Sequence, residues 1–214
     1  YNVTRQEQDQ YAYGSYLKTY KALKNKYFKN ELCQTTLKDE VRADTTLVKL
    51  SQLKPVFKKK GSVSAGNASS LNDGAAFLAL ASSDYIKANR IKPLAKVLSW
   101  SSSAGNPDYM GITPITAIQK LMNKMSVNVS FFDLIEINEA FAATSVAVQR
   151  SLKIDPDKIN IVGGAIALGH PIGCSGTRIV TTLAHQLKRT NKKFGVASMC
   201  IGGGQGLAMA IEKL

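Results

Sequence analysis

Apolar and polar positions follow two alternating periods along the second half of the chain. Short apolar runs typical of strands lie at 94–102, 131–137, 159–165, 195–201 and 206–214. Apolar side chains at helical spacing lie at 113–125, 140–153 and 175–189. Pro114 stands in a first helical turn, where proline is tolerated. Strands that alternate with helices predict a layered α/β unit with a largely parallel sheet.

The first ninety residues are less regular. Residues 5–30 are predicted to form a helix, because Thr4 and Glu7 stand at the two positions of a capping box. Residues 37–62 are mixed, and the Ser-, Asn- and Gly-rich stretch 62–74 has the composition of a loop. The apolar run 75–82 that follows it predicts a buried strand.

The connections between predicted strands suggest where ligands bind. The last two strands are joined by a glycine-rich turn and predict an antiparallel hairpin. Right-handed crossovers place the strand-to-helix turns at one edge of a sheet. Asn138, His170 and Cys200 each follow or end a predicted strand. We therefore expect them to meet at the carboxyl edge, where open α/β sheets bind ligands.

The composition is that of an ordinary folded protein, with 44% hydrophobic and 20% charged residues. The 214 residues are enough for one large or two modest domains. No apolar run is long enough to cross a bilayer. Cys33, Cys174 and Cys200 are widely spaced and odd in number, which argues against a disulfide framework. None stands in a CxxC pair, so no metal site is expected.

The chain is strongly basic, with a formal net charge of +13. Residues 1–60 hold 13 Lys and Arg against 6 Asp and Glu. A basic surface favours an anionic partner: a nucleic acid, an acidic membrane surface or a phosphorylated small molecule. No nucleic-acid-binding signature accompanies the charge. A solvated, lysine-rich surface accounts for most of it.

Two glycine-rich motifs frame the candidate chemistry. His170 lies in GGAIALGHPIG, and Cys200 opens CIGGGQG. Histidine and cysteine are the side chains best able to move protons near neutral pH, and glycine N–H groups beside Cys200 can form an oxyanion hole. The Asn138 amide can hold a water or donate to an oxygen, and Glu139 can orient Asn138 or His170.

Each of these residues also has a purely structural interpretation. A cysteine that ends a strand is usually a small core residue, and an asparagine at a helix start is usually an N-cap. A single histidine is also usually structural. The expected convergence at one edge favours a site for acyl or enolate chemistry. His185 and Cys174 lie in or at the start of a predicted helix and are interpreted as structural.

Six ordered motifs resemble the thiolase family. They are TRQEQDQYA at 4–12, AGNASSLNDGAA at 65–76, MGITP at 110–114, EINEAFAA at 136–143, GGAIALGHPIGCSGTRI at 163–179 and CIGGGQG at 200–206. The resemblance covers essentially the whole chain and is to the C-terminal portion of a thiolase, most like an acetyl-CoA acetyltransferase. It implies a layered α-β-α-β-α fold. Here it would comprise the end of the coenzyme-A-binding loop domain (1–71), the last strand and helix of the first core (72–92) and the second core (93–214).

The resemblance implies a catalytic role for three side chains. His170 would activate a nucleophile and line an oxyanion hole, and Asn138 would hold the water of that hole. Cys200 would be the general acid/base that removes the α-proton of a second acetyl-CoA. Such a reaction needs a thiolate carrier, a base for a weakly acidic carbon and donors for the enolate oxygen.

The resemblance also implies contacts with the substrate. Ser69 would touch the pantetheine arm of coenzyme A, and Met110 and Phe141 would line the acyl pocket. Gly202 would donate its N–H to a second oxyanion hole. The basic first third would bind the phosphates of coenzyme A. Coenzyme A thioesters would be substrates, so no cofactor is expected, and neither nucleic acid nor membrane is an expected partner.

One feature of the family has no counterpart in these motifs. The nucleophilic cysteine of thiolases stands in a small-residue motif of the N-terminal half, and Cys33 in NELCQTTLK has a different context. The sequence begins without a methionine and reads as part of a longer protein. We therefore expect this chain to lack the nucleophile and to be inactive in complete turnover alone.

The expected activity is the reversible condensation of two acetyl-CoA to acetoacetyl-CoA and coenzyme A. Two alternatives are a 3-ketoacyl-CoA thiolase of fatty-acid oxidation and a non-catalytic coenzyme-A-binding or lipid-transfer relative. The full-length protein is expected to be a homodimer or homotetramer in the cytoplasm, with mitochondria as the alternative compartment.

Overall fold

The computed structural model describes residues 1–33 and 41–214, so the first part of the mixed stretch 37–62 lies outside it. The elements in chain order are α1 (Arg5–Lys24), α2 (Leu47–Gln52), α3 (Ser83–Ala88), β1 (Ala95–Ala104), α4 (Thr113–Met125), β2 (Leu134–Ile137), α5 (Ala142–Leu152), α6 (Ala165–Leu168), α7 (Ser175–Thr190), β3 (Phe194–Ile201) and β4 (Gln205–Lys213). Short 3-10 turns cover Pro107–Ile112 and Val129–Phe131. In the part of the chain described, no helix is both long and apolar enough to cross a membrane.

The four strands form one sheet in the order β1-β4-β3-β2. β2 and β3 are parallel, and β4 is antiparallel to both of its neighbours. The predicted hairpin is therefore confirmed, but the prediction of a largely parallel sheet is wrong. β1, β2 and β3 all run in one direction, as their alternation with helices required. The hairpin then inserts β4 between β1 and β3, which makes two of the ladders antiparallel.

Helices cover both faces of the sheet. On one face, Ile118 and Leu121 of α4 and Val148 of α5 pack with Ile135 and Val196 of the strands. On the opposite face, the apolar side of α7 packs on Leu134, Ala197 and Ile211. Burial of these side chains supplies about 1.5–3 kcal/mol for each large residue. The layered α/β architecture is confirmed, and α4 spans the predicted 113–125.

Residues 75–82 do not form the buried strand that their composition predicted. They have no ladder partner among the described residues, and Phe77 and Leu80 are 87% and 81% exposed. A strand needs a neighbour for its backbone N–H and C=O groups. The segment pairs with none of the four strands and lies largely exposed until α3 begins.

The strand predicted at 159–165 is also absent. Ile159 makes a single parallel bridge to Ile135, after which the backbone turns at Asn160 with φ 44° and at Gly163 with φ 78°. The Asn160 side chain takes the place of further ladder bonds. Its Oδ1 accepts from the Ile137 N–H at 2.8 Å, and its Nδ2 donates to the Ile137 carbonyl at 2.9 Å.

The first helix is shorter than predicted. The capping box is present, since the Glu7 N–H donates to Thr4 Oγ1 at 3.2 Å and the Thr4 N–H donates to Glu7 Oε2 at 2.7 Å. The helix ends at Lys24, and Lys26 adopts a left-handed φ of 57°. The turn after it buries Phe28 against Val162. This contact brings α1 alongside the segment that leads to His170.

Candidate active site

The carboxyl end of β2 delivers Asn138 to the sheet edge. Its N–H donates to the Ser198 carbonyl of β3 at 3.0 Å, and the residue is 2% exposed. α5 begins only at Ala142, with Phe141 at its N-cap position. The interpretation of Asn138 as a helix cap is therefore wrong, and its side-chain amide is free to serve the site.

His170 lies between the end of α6 and the start of α7. Its N–H donates to the Ser70 carbonyl at 2.9 Å, which anchors the backbone. Its Nε2 lies 3.3 Å from Asn138 Nδ2, and its Nδ1 lies 2.6 Å from Ser175 Oγ. The Ser175 hydroxyl donates to the Pro171 carbonyl at 2.9 Å and so accepts from Nδ1–H. If that hydroxyl rotates to donate to Nδ1, Nε2 becomes an N–H donor.

The surroundings of His170 keep its imidazole uncharged. Burial lowers the pKa of His170, and the nearby positive charge of Arg178 on α7 lowers it further. At neutral pH the ring is therefore in the neutral form, which can accept a proton or donate one hydrogen bond.

Cys200 stands near the end of β3, two residues beyond the Ser198 carbonyl that holds Asn138. At the strand rise of about 3.3 Å per residue, this puts both side chains at the same edge of the sheet. Burial raises the pKa of the Cys200 thiol, so the protonated form predominates at neutral pH. Within residues 1–33 and 41–214, no hydrogen bond joins the thiol to His170 or Asn138.

The turn after Cys200 leaves room around Gly202. No atom lies within 4 Å of the position that a Cβ of Gly202 would occupy, and the residue is exposed. Gly204 has φ 89°, and a Cβ there would lie 2.5 Å from the Gly105 carbonyl. Only glycine fits that close approach. The turn is therefore fixed at Gly204 and open at Gly202.

Ser69 and Phe141 lie together beside the pair formed by Asn138 and His170. The Ser69 N–H and Oγ both donate to the Ala140 carbonyl at 3.0 Å. Ala68 forms a bridge to Phe141, and Leu71 forms one to His170. The loop that carries Ser69 therefore contacts both segments that carry the predicted catalytic side chains.

Met110 lies in the turn before α4 and is 37% exposed. The neighbouring Gly111 packs so closely on Thr144 of α5 that a Cβ would collide with the Thr144 side chain. Thr144 Oγ1 in turn donates to the Phe141 carbonyl at 2.8 Å. Met110 and Phe141 are thus brought to the same end of α5.

Two further residues lie near the site without a sequence motif that marks them. Phe57 contacts Phe141 edge-on, with ring centroids 6.0 Å apart, and is 74% exposed. Arg42 lines a small cavity of about 30 Å³ with Tyr16 and Ser70. An aromatic residue before a lysine run and one arginine in a basic third carry no local signal. Their positions depend on contacts with distant segments.

Glu139 does not orient Asn138 or His170 directly. Among the described residues, its carboxylate makes no hydrogen bond to either side chain. It accepts instead from Tyr11 and Ser15 of α1, from Asn160 and from the Ile166 N–H.

A second buried carboxyl lies on β2 behind the site. Burial raises the pKa of Glu136 to about 8, an effect that the positive charge of Arg178 only partly offsets. Burial likewise raises the pKa of Glu31 to about 7. Both carboxyls are therefore largely protonated in the folded protein near pH 6. Among the described residues, no metal-binding cluster of His, Cys, Asp and Glu is formed.

The raised pKa of Glu136 predicts that stability declines with pH. The folded state binds a proton that the unfolded state releases near pH 4.5, so stability is greatest below that value and falls until about pH 8. Glu136→Gln should remove this decline, so that between pH 5 and pH 8 its stability rises relative to the wild type by about 3–4 kcal/mol. Urea unfolding of the wild type and the variant at pH 5 and pH 8 measures the difference in their free energies of unfolding. The exposed Asp84→Asn serves as control, and a gain of equal size in that variant would contradict the assignment.

Taken together, the fold and the site define an α/β protein with a candidate proton-transfer site at the carboxyl edge of its sheet. The sequence of residues 1–84 matches the family model for the N-terminal domain of thiolase, and residues 91–213 match the family model for the C-terminal domain of thiolase. The chain belongs to the thiolase family.

Curated relatives and solved structures agree with this membership. The chain is 44% identical to a probable acetyl-CoA acyltransferase of Staphylococcus aureus, with 100% of this chain and 57% of that protein covered. It is 44% identical to the mitochondrial 3-ketoacyl-CoA thiolase of Rattus norvegicus, with 99% of this chain and 56% of that protein covered. The crystal structure of the Bacillus anthracis acetyl-CoA acetyltransferase superposes with a TM-score of 0.95 at 44% identity and covers 100% of this chain and 57% of its own.

The thiolase-like fold class is therefore confirmed, and the chain spans little more than half the length of these relatives. Human mitochondrial 3-ketoacyl-CoA thiolase in complex with CoA also superposes, with a TM-score of 0.92 at 41% identity, over 99% of this chain and 55% of its own. The roles of single residues and the domain boundaries after residues 71 and 92 stay predictions.

Proposed function

We propose that this chain forms the part of a thiolase active site that holds the base and the oxyanion donors. The observation that carries the proposal is the pair formed by Asn138 Nδ2 and His170 Nε2, 3.3 Å apart. Cys200 lies at the same sheet edge, beside the open Gly202 turn. A neutral imidazole, an amide and a thiol at one edge are the groups that enolate chemistry at a thioester needs.

The proposed condensation has two steps. First, a nucleophilic thiol takes the acetyl group of one acetyl-CoA. His170 accepts the thiol proton at Nε2 and passes it to the departing coenzyme A sulfur. Second, the Ser175 hydroxyl turns to donate to Nδ1, so that His170 carries its ring proton on Nε2. The Cys200 thiolate removes an α-proton from another acetyl-CoA, and the enolate oxygen accepts from His170 Nε2–H and from a water held by Asn138. The enolate carbon attacks the acyl carbonyl, a C–C bond forms, and the carrier sulfur leaves to give acetoacetyl-CoA.

We further propose that the nucleophilic thiol is not one of the three cysteines of this chain. Cys33 is exposed, and Cys174 is the residue before α7, with its sulfur 3.4 Å from the position that a Cβ of Gly74 would occupy. Cys200 is already assigned as the base. In this proposal the chain catalyses proton transfer at acetyl-CoA but not complete turnover, and no cofactor takes part.

The acyl pocket is the basis for the choice of substrate. Phe57, Phe141 and Met110 are proposed to line it, which favours a short acyl group such as acetyl. The similarity to a 3-ketoacyl-CoA thiolase of Rattus norvegicus keeps longer 3-ketoacyl-CoA substrates as the second candidate. Calorimetric affinities for acetoacetyl-CoA and for a long-chain 3-ketoacyl-CoA separate the two. Tighter binding of the long chain would favour the second candidate.

Arg42 is proposed to bind a phosphate of coenzyme A, because it lines the cavity beside Ser70 in the loop that carries Ser69. A partly exposed charge pair contributes about 1 kcal/mol, so Arg42→Ala should weaken coenzyme A binding roughly fivefold. Isothermal titration calorimetry measures the affinity. The matched control is Lys87→Ala on α3, which removes an exposed cation away from this cavity. An unchanged affinity in Arg42→Ala would remove Arg42 from the proposal.

The assembly and the compartment remain proposals. We propose a homodimer or homotetramer for the complete protein, acting on acetyl-CoA and acetoacetyl-CoA in the cytoplasm, with mitochondria as the alternative. Size-exclusion chromatography with light scattering tests the first, and microscopy of the tagged protein tests the second.

A further inference from the structure

The buried face of the first helix carries four polar side chains beside Ala12, Tyr16 and Ala22. Gln8, Asp9, Ser15 and Thr19 of α1 are all less than 5% exposed. Buried polar side chains cost stability unless they are hydrogen-bonded, and here each reaches a segment far away in the sequence. Asp9 accepts from Asn67 Nδ2 at 2.8 Å, and Thr19 Oγ1 donates to the Val162 carbonyl at 3.3 Å. The helix therefore holds distant loops through polar contacts, in addition to packing Ala12 and Tyr16 on an apolar cluster.

The centre of this polar contact is Glu139, which directly follows Asn138. Glu139 is 1% exposed. Its Oε2 accepts from Ser15 Oγ at 2.6 Å and from the Ile166 N–H at 3.2 Å. Its Oε1 accepts from the Tyr11 hydroxyl at 3.1 Å and from Asn160 Nδ2 at 2.9 Å. Four donors from three parts of the fold thus converge on one carboxylate.

No basic side chain among the described residues forms an ion pair with Glu139. Lys18 lies on α1 with Tyr11 and Ser15, but its Nζ donates to the Ile159 carbonyl at 3.0 Å and not to Glu139. Burial, and after it the charge of Glu139, raises the pKa of the Tyr11 hydroxyl, which therefore stays protonated and donates. The four hydrogen-bond donors to the carboxylate are all neutral, and the positive charge of Lys18 acts on it through space.

These donors connect the two segments that carry Asn138 and His170. Ile166 belongs to α6, which ends two residues before His170. Asn160 holds the end of β2 through the Ile137 backbone, next to Asn138. Gly164 lies so close that a Cβ there would be 2.6 Å from Glu139 Cδ, so the carboxylate also packs on the backbone before α6.

We propose that Glu139 is a positioning residue that sets the distance between Asn138 and His170 by tying both segments to α1. The proposal rests on the proposed function, because that function requires the two side chains to act on one oxygen. It deepens that function by assigning the geometry of the pair to a residue that hydrogen-bonds to neither side chain and to donors on a helix remote in sequence.

The chain contains only two histidines, His170 and His185, which makes the test direct. With ¹⁵N-histidine, two imidazole spectra report the site and an internal control in the middle of α7. Glu139→Gln places an amide donor against the existing donors. It should move the His170 ring signals and change the balance of its tautomers, while the His185 signals keep their positions. Unmoved His170 signals in a folded Glu139→Gln protein would overturn the proposal.

A milder variant keeps the test decisive if Glu139→Gln does not fold. Tyr11→Phe removes one donor to Glu139, and Tyr13→Phe on the same helix is its matched control. We expect Tyr11→Phe to move the His170 signals and Tyr13→Phe to leave them in place. A Tyr11→Phe spectrum identical to the wild type, or equal shifts of His170 and His185 that indicate general loosening, would contradict the assignment.

The failure of the proposed function has a different signature. Deuterium uptake by acetyl-CoA in D₂O reports that function, whereas the imidazole spectra report geometry alone. If the wild type shows no uptake but the Tyr11→Phe spectrum shifts, the positioning role stands and the enzymatic proposal falls. If uptake occurs and neither variant shifts the His170 signals, the positioning role falls alone.

Discussion

Cys200→Ala is expected to slow the exchange of acetyl-CoA α-protons with D₂O by roughly 10²–10⁴-fold, the usual contribution of a positioned general base. Enolisation of a thioester requires removal of a proton from a weakly acidic carbon. In the proposed site, the Cys200 thiolate is the group that removes it. Mass spectrometry of acetyl-CoA after incubation with the chain measures the rate, one mass unit for each proton replaced.

Two controls make the result specific to this cysteine. Cys33→Ala and Cys174→Ala remove the other thiols of the chain and should leave the exchange rate unchanged. In the wild type the rate should keep rising beyond the ordinary pKa of a cysteine, because burial raises the pKa of the Cys200 thiol. An exchange rate in Cys200→Ala equal to that of the wild type would assign the base to another group.

His170→Ala is expected to slow the same exchange by roughly 10²–10³-fold, as the loss of one oxyanion donor usually does. Nε2 of the imidazole and Nδ2 of the Asn138 amide are 3.3 Å apart, and in the proposed site both groups serve the enolate oxygen as it accumulates charge. The alanine variant lacks the imidazole, so the Asn138 amide is the only one of the two groups that remains. His185→Ala is the matched control, because it removes the other histidine of the chain from the middle of α7.

A combined variant separates the two roles. The base and the oxyanion donors act in a single transition state, so the effects of Cys200→Ala and His170→Ala should not add in the double variant. Full additivity would indicate that the two residues act at independent sites. An exchange rate in His170→Ala equal to that of the wild type would show that the imidazole does not stabilise the enolate oxygen.

The fold could be predicted from the sequence as far as local periodicity determines it. The helix at 113–125 and the hairpin of β3 and β4 follow from apolar spacing and from a glycine turn, and both are present. The position of β4 between β1 and β3 depends on pairing between segments about a hundred residues apart. No local pattern encodes that pairing.

The two wrong strands have different causes. Residues 75–82 are apolar enough to be buried, but composition cannot supply the neighbouring strand that a ladder requires. Residues 159–165 lose their ladder because the Asn160 side chain bonds to the end of β2 in place of further backbone. A single polar residue thus ends a strand that six apolar or small neighbours predicted.

The candidate site was predictable where motifs mark it. The glycine-rich turns around His170 and Cys200 and the strand before Asn138 gave the expectation that the three meet at one edge. The network behind them was not predictable, since Tyr11 and Glu139 are 128 positions apart. Nothing in the composition of a lysine-rich helix indicates that its buried face holds a carboxylate beside the site.

Incubation of the wild-type chain with acetyl-CoA in D₂O tests most directly whether it holds the base and the oxyanion donors without the acyl carrier. Mass spectrometry follows three species together: acetyl-CoA, free coenzyme A and the intact chain. We predict that acetyl-CoA gains deuterium in its methyl group, while no coenzyme A is released and none of Cys33, Cys174 and Cys200 becomes acetylated. Two results would contradict this account. One is acetyl-CoA that stays unlabelled although the chain binds coenzyme A, and the other is an acetyl group on any of these cysteines.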